Sequence, residues 1–399
     1  VKREMDVEAI TQYLVYECVP APKAAFKGMN KLEAAQSFAF NLNTGELSFR
    51  TYWDIPYHLD PIEPPEGEDE EEFWAKRLQE TLEASVKRRL MSDVPLGVFL
   101  SGGIDSSAVT ATMVKLQGRG NVKTFSIGFS DPTFDETDRS RLLAKHLGTE
   151  HYEERLDPKA VMNLLPGISA MLDEPFADSS IMPTYLLSRF ARQYVTVALG
   201  GDGGDEMFAG YVTFKAIPFT KFYNRFVPGV IDRHLIRPVA YRLPVSHRYF
   251  SLDFKIKQFL KGAKTPDHER LWRWLGAFVP EEIANLLTPE AAEHLQLDRL
   301  LDLCRQIDDK VKHRDDITRD CYMYAKLYMA EQVIQKVDRA SMACSLEARS
   351  PLLDKEWVEL AARVPGRLKF KKGVKKYILI RALKGLVPQE LLSKPKRGF

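Results

Sequence analysis

Two short stretches of this chain carry residue types that could do chemistry. The first is LSGGIDSSAV, residues 100–109. An apolar run, Val98, Phe99 and Leu100, stops in a serine, two glycines, an aspartate and two more serines, and a helix-like pattern follows. Glycine lets a backbone turn sharply and approach a ligand with no Cβ in the way. The first amides of a helix, with the helix dipole behind them, then face an anion. Ser101, Ser106 and Ser107 add hydroxyl donors. Together these describe a phosphate cradle. Asp105 is out of place in it, because a carboxylate repels phosphate. It fits with a cation between the two, most simply Mg2+, which takes one or two carboxylates plus phosphate oxygens.

The second stretch is ALGGDGGDEMFAGY, residues 198–211, with five glycines and three acids in fourteen residues. A loop this acidic beside a phosphate site needs a metal. Asp205 is therefore expected to be a second magnesium ligand opposite Asp105. Asp202 and Glu206 stay open to nucleotide, substrate or helix-capping contacts. Two common phosphate loops do not fit the first stretch. No lysine follows its glycines as G-x-x-x-x-G-K-[ST] requires, and G-x-G-x-x-G is absent.

The elements around these stretches alternate. Residues 5–17 carry a helical pattern, and 36–53 read as a β-hairpin turning at Asn43–Gly45. An acidic, proline-rich stretch, 60–72, reads as a linker. From Phe73 a helix is marked by Trp74, Leu78, Leu82, Val86 and Leu90. Strands are expected at 94–100, 123–129, 151–156 and 194–200. Helices are expected at 106–116, 137–147, 159–172 and 183–193. Continuous apolar strands alternating with helices indicate a parallel sheet covered on both faces. Residues 212–280 are rich in aromatics, Arg and Pro, and 281–385 read as almost wholly helical.

Composition narrows the class. The chain has 399 residues, 45% hydrophobic and 28% charged, with a net charge of +2. Nothing in that balance demands nucleic acid or an anionic membrane, and neither is expected as a partner. No apolar run reaches the ~20 residues of a membrane span. The basic run 369–376 reads as a solvated or substrate-phosphate face. Cys18, Cys304, Cys321 and Cys344 form no C-x-x-C pair, so a reduced, cytoplasmic setting is expected. A start at Val1 and an end inside KPKRGF suggest a piece cut at both ends.

The motif S-G-G-x-D-S-S resembles the pyrophosphate loop of the N-type ATP pyrophosphatases. Around it stand, in order, GVFLSGGIDSS, FSIGF, FDE (134–136), LGGDGGDEMFAGY, VDRASMACSLEARSPLLD (337–354) and KPKRGF (394–399). This set resembles the synthetase domain of the glutamine-hydrolysing asparagine synthetases. Residues 1–57, ending TGELSFRTYWD, resemble the closing part of that family's glutaminase domain.

The resemblance implies an α/β fold. Its main part is a parallel-sheet ATP pyrophosphatase domain of the adenine nucleotide alpha-hydrolase type, at 73–399, with a helical C-terminal part. It follows a linker at 58–72 and a remnant, 1–57, of an α+β N-terminal-nucleophile glutaminase domain. It also implies that a carboxylate, most simply that of aspartate, is adenylated with ATP and Mg2+, and that ammonia or glutamine-derived nitrogen displaces AMP. Carried over by position, Ser101, Gly102, Gly103, Asp105, Ser106 and Ser107 hold pyrophosphate and magnesium. Phe99, Leu100 and Ile127 lie by the adenine, and Gly200 and Gly201 by the ribose and α-phosphate. Asp205 matches the metal-binding acid. Asp202 and Lys396 are the catalytic candidates, the lysine neutralising charge on the reacting phosphate. Arg349 is either a fork for the substrate carboxylate or a structural arginine against Asp338 or Asp354. Asp338 and Arg339 would shape the substrate pocket.

Two departures stand out. The best-known members carry Glu and Ser where this chain has Asp202 and Gly204, which weakens aspartate as the assigned substrate. The family's N-terminal catalytic cysteine has no counterpart in this sequence, so glutamine hydrolysis is not expected of it, although free ammonia could serve. The alternative is a related amidotransferase or lactam-forming synthetase acting on another carboxylate. The expected partners are small molecules, and a homodimer is compatible with all of this.

Overall fold

The computed structural model describes residues 2–130, 135–157, 161–245, 251–293 and 295–393. Its main elements are α1 (Val7–Tyr16), β1 (Gln36–Phe40), β2 (Leu47–Thr51), α2 (Glu70–Arg89), β3 (Leu96–Phe99), α3 (Ile104–Gln117), β4 (Lys123–Phe129), α4 (Thr137–Leu147), β5 (Glu150–Leu156), α5 (Ile181–Ala191), β6 (Val197–Leu199), α6 (Thr213–Phe226), α7 (Leu252–Ala263), α8 (Asp267–Leu275), α9 (Asp316–Met323), α10 (Ile334–Met342), β7 (Glu347–Arg349), α11 (Lys355–Ala362) and α12 (Tyr377–Ala382). They fall into two units. One holds Val1–His58, Glu174–Ala177 and Tyr211–Gln332, and the other Leu59–Asp173, Asp178–Gly210 and Val333–Phe399.

The second unit is built on a five-stranded sheet in the order β5-β4-β3-β6-β7, parallel throughout. The chain lays down β3, β4 and β5 toward one edge, then returns to place β6 and β7 on the other side of β3. The strand order therefore reverses between β3 and β6. In open parallel sheets, ligands bind beyond the carboxyl ends of the strands at such a reversal. The two glycine-rich stretches follow β3 and β6, so the topology brings them together there.

Local sequence explains the helices that flank this point. Asp69 caps α2 by accepting from the Glu72 amide at 2.9 Å. Glu70, Glu71 and Glu72 in its first turn and Lys87, Arg88 and Arg89 in its last match the helix dipole. Its apolar stripe, Trp74, Leu78, Leu82 and Val86, is buried. Helix α3 has no polar face to give to water, since every residue from Ser106 to Val114 is buried. Beneath the sheet, Phe125, Phe190, Val195 and Leu346 form a core cluster. Each such side chain contributes about 1.5–3 kcal/mol by leaving water.

The expected parallel sheet is present, with one strand that the pattern concealed. Residues 281–385 are not almost wholly helical, because Glu347–Arg349 pairs with Val197–Leu199 as β7. Three residues are too few to show an alternation. A small antiparallel pair, Phe370–Lys371 with Val374–Lys375, also lies in that stretch and turns at Gly373.

In the first unit, β1 and β2 form the expected hairpin, with Asn41 Oδ1 accepting from the Asn43 and Thr44 amides of the turn. After it, Asp54 accepts from the Tyr322 hydroxyl at 2.8 Å and from Lys326 at 3.1 Å. Burial works to raise the Asp54 carboxyl, and Lys326 with Tyr322 outweighs it, so the group titrates below its usual range.

Candidate active site

The loop after β3 is shaped by its own glycines and serines. Gly102 has φ +72°, and a Cβ there would sit 2.5 Å from Arg139 Cβ and 2.8 Å from the Ser140 amide. Only glycine meets both demands. The Gly103 amide donates to Ser101 Oγ at 3.2 Å, and Ser101 Oγ and Ser106 Oγ are 3.0 Å apart. Ser107 Oγ donates to the Gly103 carbonyl at 2.6 Å. Ser106 and Ser107 are buried, and Ser101 is exposed. All three hydroxyls thus hold the loop, and Ser101 alone is exposed. Gly103 then caps α3, whose first-turn amides have no intrahelical acceptors and face outward from the helix end.

The loop after β6 is pressed onto the first one. A Cβ on Gly201 would lie 2.7 Å from the Ser106 amide. A Cβ on Gly204 would overlap the Asp105 carboxylate, and one on Gly210 would overlap Asp205 Oδ1 and Lys376 Cε. Gly203, at φ +95°, turns the chain against Leu353. The glycines of this stretch therefore clear the space that the carboxylates occupy. Gly204, where the best-known family members carry serine, is one of them.

Asp105 and Asp205 converge, as the sequence reading expects, and they converge on a residue it did not single out. Lys376 Nζ lies 2.7 Å from Asp205 Oδ1 and also pairs with Asp105 Oδ2. Its side chain is 5% exposed. Lys376 sits at φ +53°, a strained setting for a lysine, at the start of α12, and its amide donates to the Phe208 carbonyl at 3.1 Å. Neighbouring Lys375 donates to the Gly210 carbonyl.

The other candidates distribute as follows. Phe99 and Leu100 close β3, where the Leu100 amide donates to the Phe125 carbonyl at 2.8 Å, and Ile127 is buried in β4. Gly200 is tied to the Arg349 carbonyl at 2.8 Å. Asp202 accepts from Ser350 Oγ at 3.3 Å, which links the acidic loop to the end of β7. The Arg349 guanidinium donates to the carbonyls of Arg89 and Met91, at 2.9 and 2.7 Å, and to Glu347 at 2.6 Å. It meets neither Asp338 nor Asp354 in these bonds. Asp354 instead caps α11 and pairs with Arg88 at 2.6 Å and with Arg89. Asp338 is exposed on α10, and Arg339 pairs with Asp173 at 2.6 Å. Lys396 and the rest of KPKRGF lie outside the described residues, as does Phe134 of FDE.

The arrangement suits phosphate and a hard cation. Two carboxylates already share one ammonium, so this place stabilises positive charge. Carboxylate and hydroxyl oxygens are the donors Mg2+ prefers. Among the described residues no group of three or more His, Cys, Asp or Glu is gathered as a self-sufficient metal cage. Mg2+ commonly completes its shell with phosphate oxygens and water, so a two-carboxylate set is sufficient for it.

The chain is similar to known proteins along most of its length. The sequence profile described as Asparagine synthase matches residues 77–399. Asparagine synthetase (glutamine-hydrolyzing) 1 of Bacillus subtilis is 32% identical over 398 residues, 99% of this chain and 59% of that protein. A putative asparagine synthetase (glutamine-hydrolyzing) of Mycobacterium tuberculosis is 29% identical over 99% of this chain and 58% of its own length. Amidase chyE of Penicillium rubens is 26% identical over 94% of this chain and 58% of its own. The chain thus spans less than three-fifths of the length of these relatives.

Proposed function

The chain belongs to the asparagine synthase family, and from that premise we propose that it is an ATP-dependent, AMP-forming amide ligase. A carboxylate oxygen of the acceptor attacks the α-phosphorus of ATP, and pyrophosphate leaves with the electrons of the α–β bond. Ammonia then attacks the acyl carbon and loses a proton, and AMP departs with the acyl–oxygen bond. The observation that carries this reading is the meeting of Asp105, Asp205 and Lys376 beside the start of α3.

Each residue of that group has a task in the proposal. The α3 amides and Ser101 hold the β- and γ-phosphates, which become the leaving pyrophosphate. Asp105 and Asp205 would hold Mg2+, which when bound offsets phosphate charge as the leaving group departs. Lys376 is a second fixed cation at the same place. It joins the two carboxylates, and with phosphate present it can turn its charge toward the oxygens. Catalysis here is mostly positioning and electrostatic stabilisation. Asp202, held by Ser350, and Lys396 are proposed to act next to the acyl transfer. Arg349, with its donors engaged by Arg89, Met91 and Glu347, is proposed to brace the end of α2 against β7.

Aspartate is the first acceptor to consider. A second reading keeps the chemistry and changes the carboxylate. It is favoured by Asp202 being one methylene shorter than the Glu of the best-known members, and by a relative named as an amidase. The test is pyrophosphate release with ATP, Mg2+ and ammonium across candidate carboxylates. Release with aspartate, and asparagine as product, supports the first reading. Release only with a larger acid moves the assignment to the second, and no release with any acid overturns both.

A further inference from the structure

One surface of the first unit concentrates both charge and apolar side chains. Residues 212–245 hold six lysines and arginines and residues 251–264 hold four, against Asp232 and Asp253. The balance is +8 (ten minus two), whereas the whole chain carries +2, which leaves −6 for everything else. Lys221, Arg237, Lys257 and Lys261 are engaged by Asp316, Asp232, Asp253 and Glu282, at 2.7, 2.8, 3.7 and 3.3 Å, and Lys264 donates to the Val227 carbonyl at 2.6 Å. Lys215, Arg225, Arg233 and Arg242 are exposed.

The same segments turn large apolar groups outward. Helix α6 buries Phe214, Ile217 and Thr220 on its inner side. Phe219, Phe222 and Phe226, spaced by three and four, share the outer side and are 67, 65 and 61% exposed. At ~100° per residue they fall within about 60° of one another. The rings of Phe222 and Phe226 are 4.6 Å apart, and the Arg225 guanidinium lies 5.8 Å over Phe226. After Pro228 the helical turns of 229–241 expose Val230 and Leu235, at 71 and 61%. Singly, such residues are ordinary on a protein surface. A ridge of them in one stretch marks an interaction site.

The mixture says what covers it. Protein–protein interfaces are enriched in Phe and Arg, but their cores are depleted in charge and the interfaces in lysine. Here cations are interleaved with the phenylalanines and acids are nearly absent. Phe, Leu and Val beside Lys and Arg on short helices is the composition of segments that lie in the headgroup region of an anionic bilayer. No helix among the described residues is long and apolar enough to cross a membrane. We propose that α6 and the turns of 229–241 form a docking surface for an anionic lipid bilayer, with the three phenylalanines inserted and the flanking cations on the headgroups. The proposal departs from the expectation of no membrane partner. That expectation rested on a whole-chain charge in which this basic surface is cancelled by acids elsewhere.

The test is co-flotation of the chain with vesicles of phosphatidylcholine alone, and of phosphatidylcholine mixed with phosphatidylserine. Binding is expected to the mixed vesicles at low salt, to fall as salt rises, and to be weak on pure phosphatidylcholine. Phe219→Ser, Phe222→Ser and Phe226→Ser combined, and separately Lys215→Glu, Arg225→Glu and Arg233→Glu combined, should each weaken it about tenfold or more. Circular dichroism and pyrophosphate release should be unchanged in both. Absence of co-flotation with mixed vesicles at low salt overturns the proposal, as does binding that survives both sets of changes. If the phenylalanine variant instead turns a dimer into a monomer without altering vesicle binding, the surface belongs to a second copy and the bilayer assignment falls.

Discussion

Lys376 Nζ stands 2.7 Å from Asp205 Oδ1 while pairing with Asp105, so one buried ammonium joins two carboxylates a hundred residues apart in the chain. Each acid comes from the loop after a different strand, and the lysine comes from the start of α12. The site is therefore closed only when three distant segments are in register. Its charges are unequal: two carboxylates face one ammonium, and removing the lysine leaves both acids buried and uncompensated.

Lys376→Met is expected to abolish pyrophosphate release and to cost about 3–5 kcal/mol of stability, as loss of one partner of a buried pair does. Added Mg2+ should restore part of the lost stability, because a divalent cation can replace the ammonium between the acids. Thermal melting with and without Mg2+, beside the release assay, checks this. A variant that melts like the parent and turns over normally would remove Lys376 from the site.

Two glycines should fail in different ways. Gly102→Ala places a Cβ at φ +72° against Arg139 and the Ser140 amide, and strain of that kind costs about 1–3 kcal/mol. Gly204→Ala displaces the Asp105 carboxylate instead. Its expected effect is a fall in turnover of about 10–100-fold, as for a misplaced reacting group, with little change in melting temperature. Equal loss of stability in both variants would contradict the contrast.

Asp354 offers a test on the acid side. Burial works to raise its carboxyl, but hydrogen bonds and charge from Arg88 and Arg89 hold it below the usual range. A group depressed in the folded state stabilises above its unfolded pKa, and that contribution is lost as pH falls through the folded value. Asp354→Asn keeps an oxygen to cap α11 but loses the charge on the bonds to Arg88 and Arg89, so it should cost about 1–2 kcal/mol near neutral pH, and progressively less below pH ~4. Melting curves across that range decide it, and a difference that does not shrink in acid would refute the ion-pair account.

How much of this was legible follows from what each residue leaves in a sequence. Asp105 and Asp205 could be paired in advance because both stand in glycine-rich turns after apolar strands, and repulsion from phosphate made each unreasonable alone. Lys376 could not. It lies in KFKKGVKK, where five lysines look alike, and only folding separates buried Lys369 and Lys376 from the rest. Strand β7 hid because three residues carry no period. Arg349 had two chemically sound partners on paper. Its engagement by the Arg89 and Met91 carbonyls depends on where α2 ends, which is a tertiary matter. The charge of the 212–264 surface was present in the residues but invisible in a whole-chain sum.

The helical part of the first unit carries a pH response of opposite sign. Asp320 on α9 is buried, and burial pushes its carboxyl up to about 6, with Arg270 opposing through long contacts of 3.4 and 3.5 Å. The folded state then holds a proton that the unfolded chain, near the usual 3.8, has already released. Stability from this group is full below pH ~4, falls as pH rises toward about 6, and stays reduced above that. Asp320→Asn removes the titration and keeps an acceptor for Arg270. Subtracting the variant's stability from the parent's, by denaturant melts between pH 4 and 7, should give a difference that declines across the window. A flat difference, or one that rises with pH, would mean that Arg270 keeps Asp320 ionised throughout.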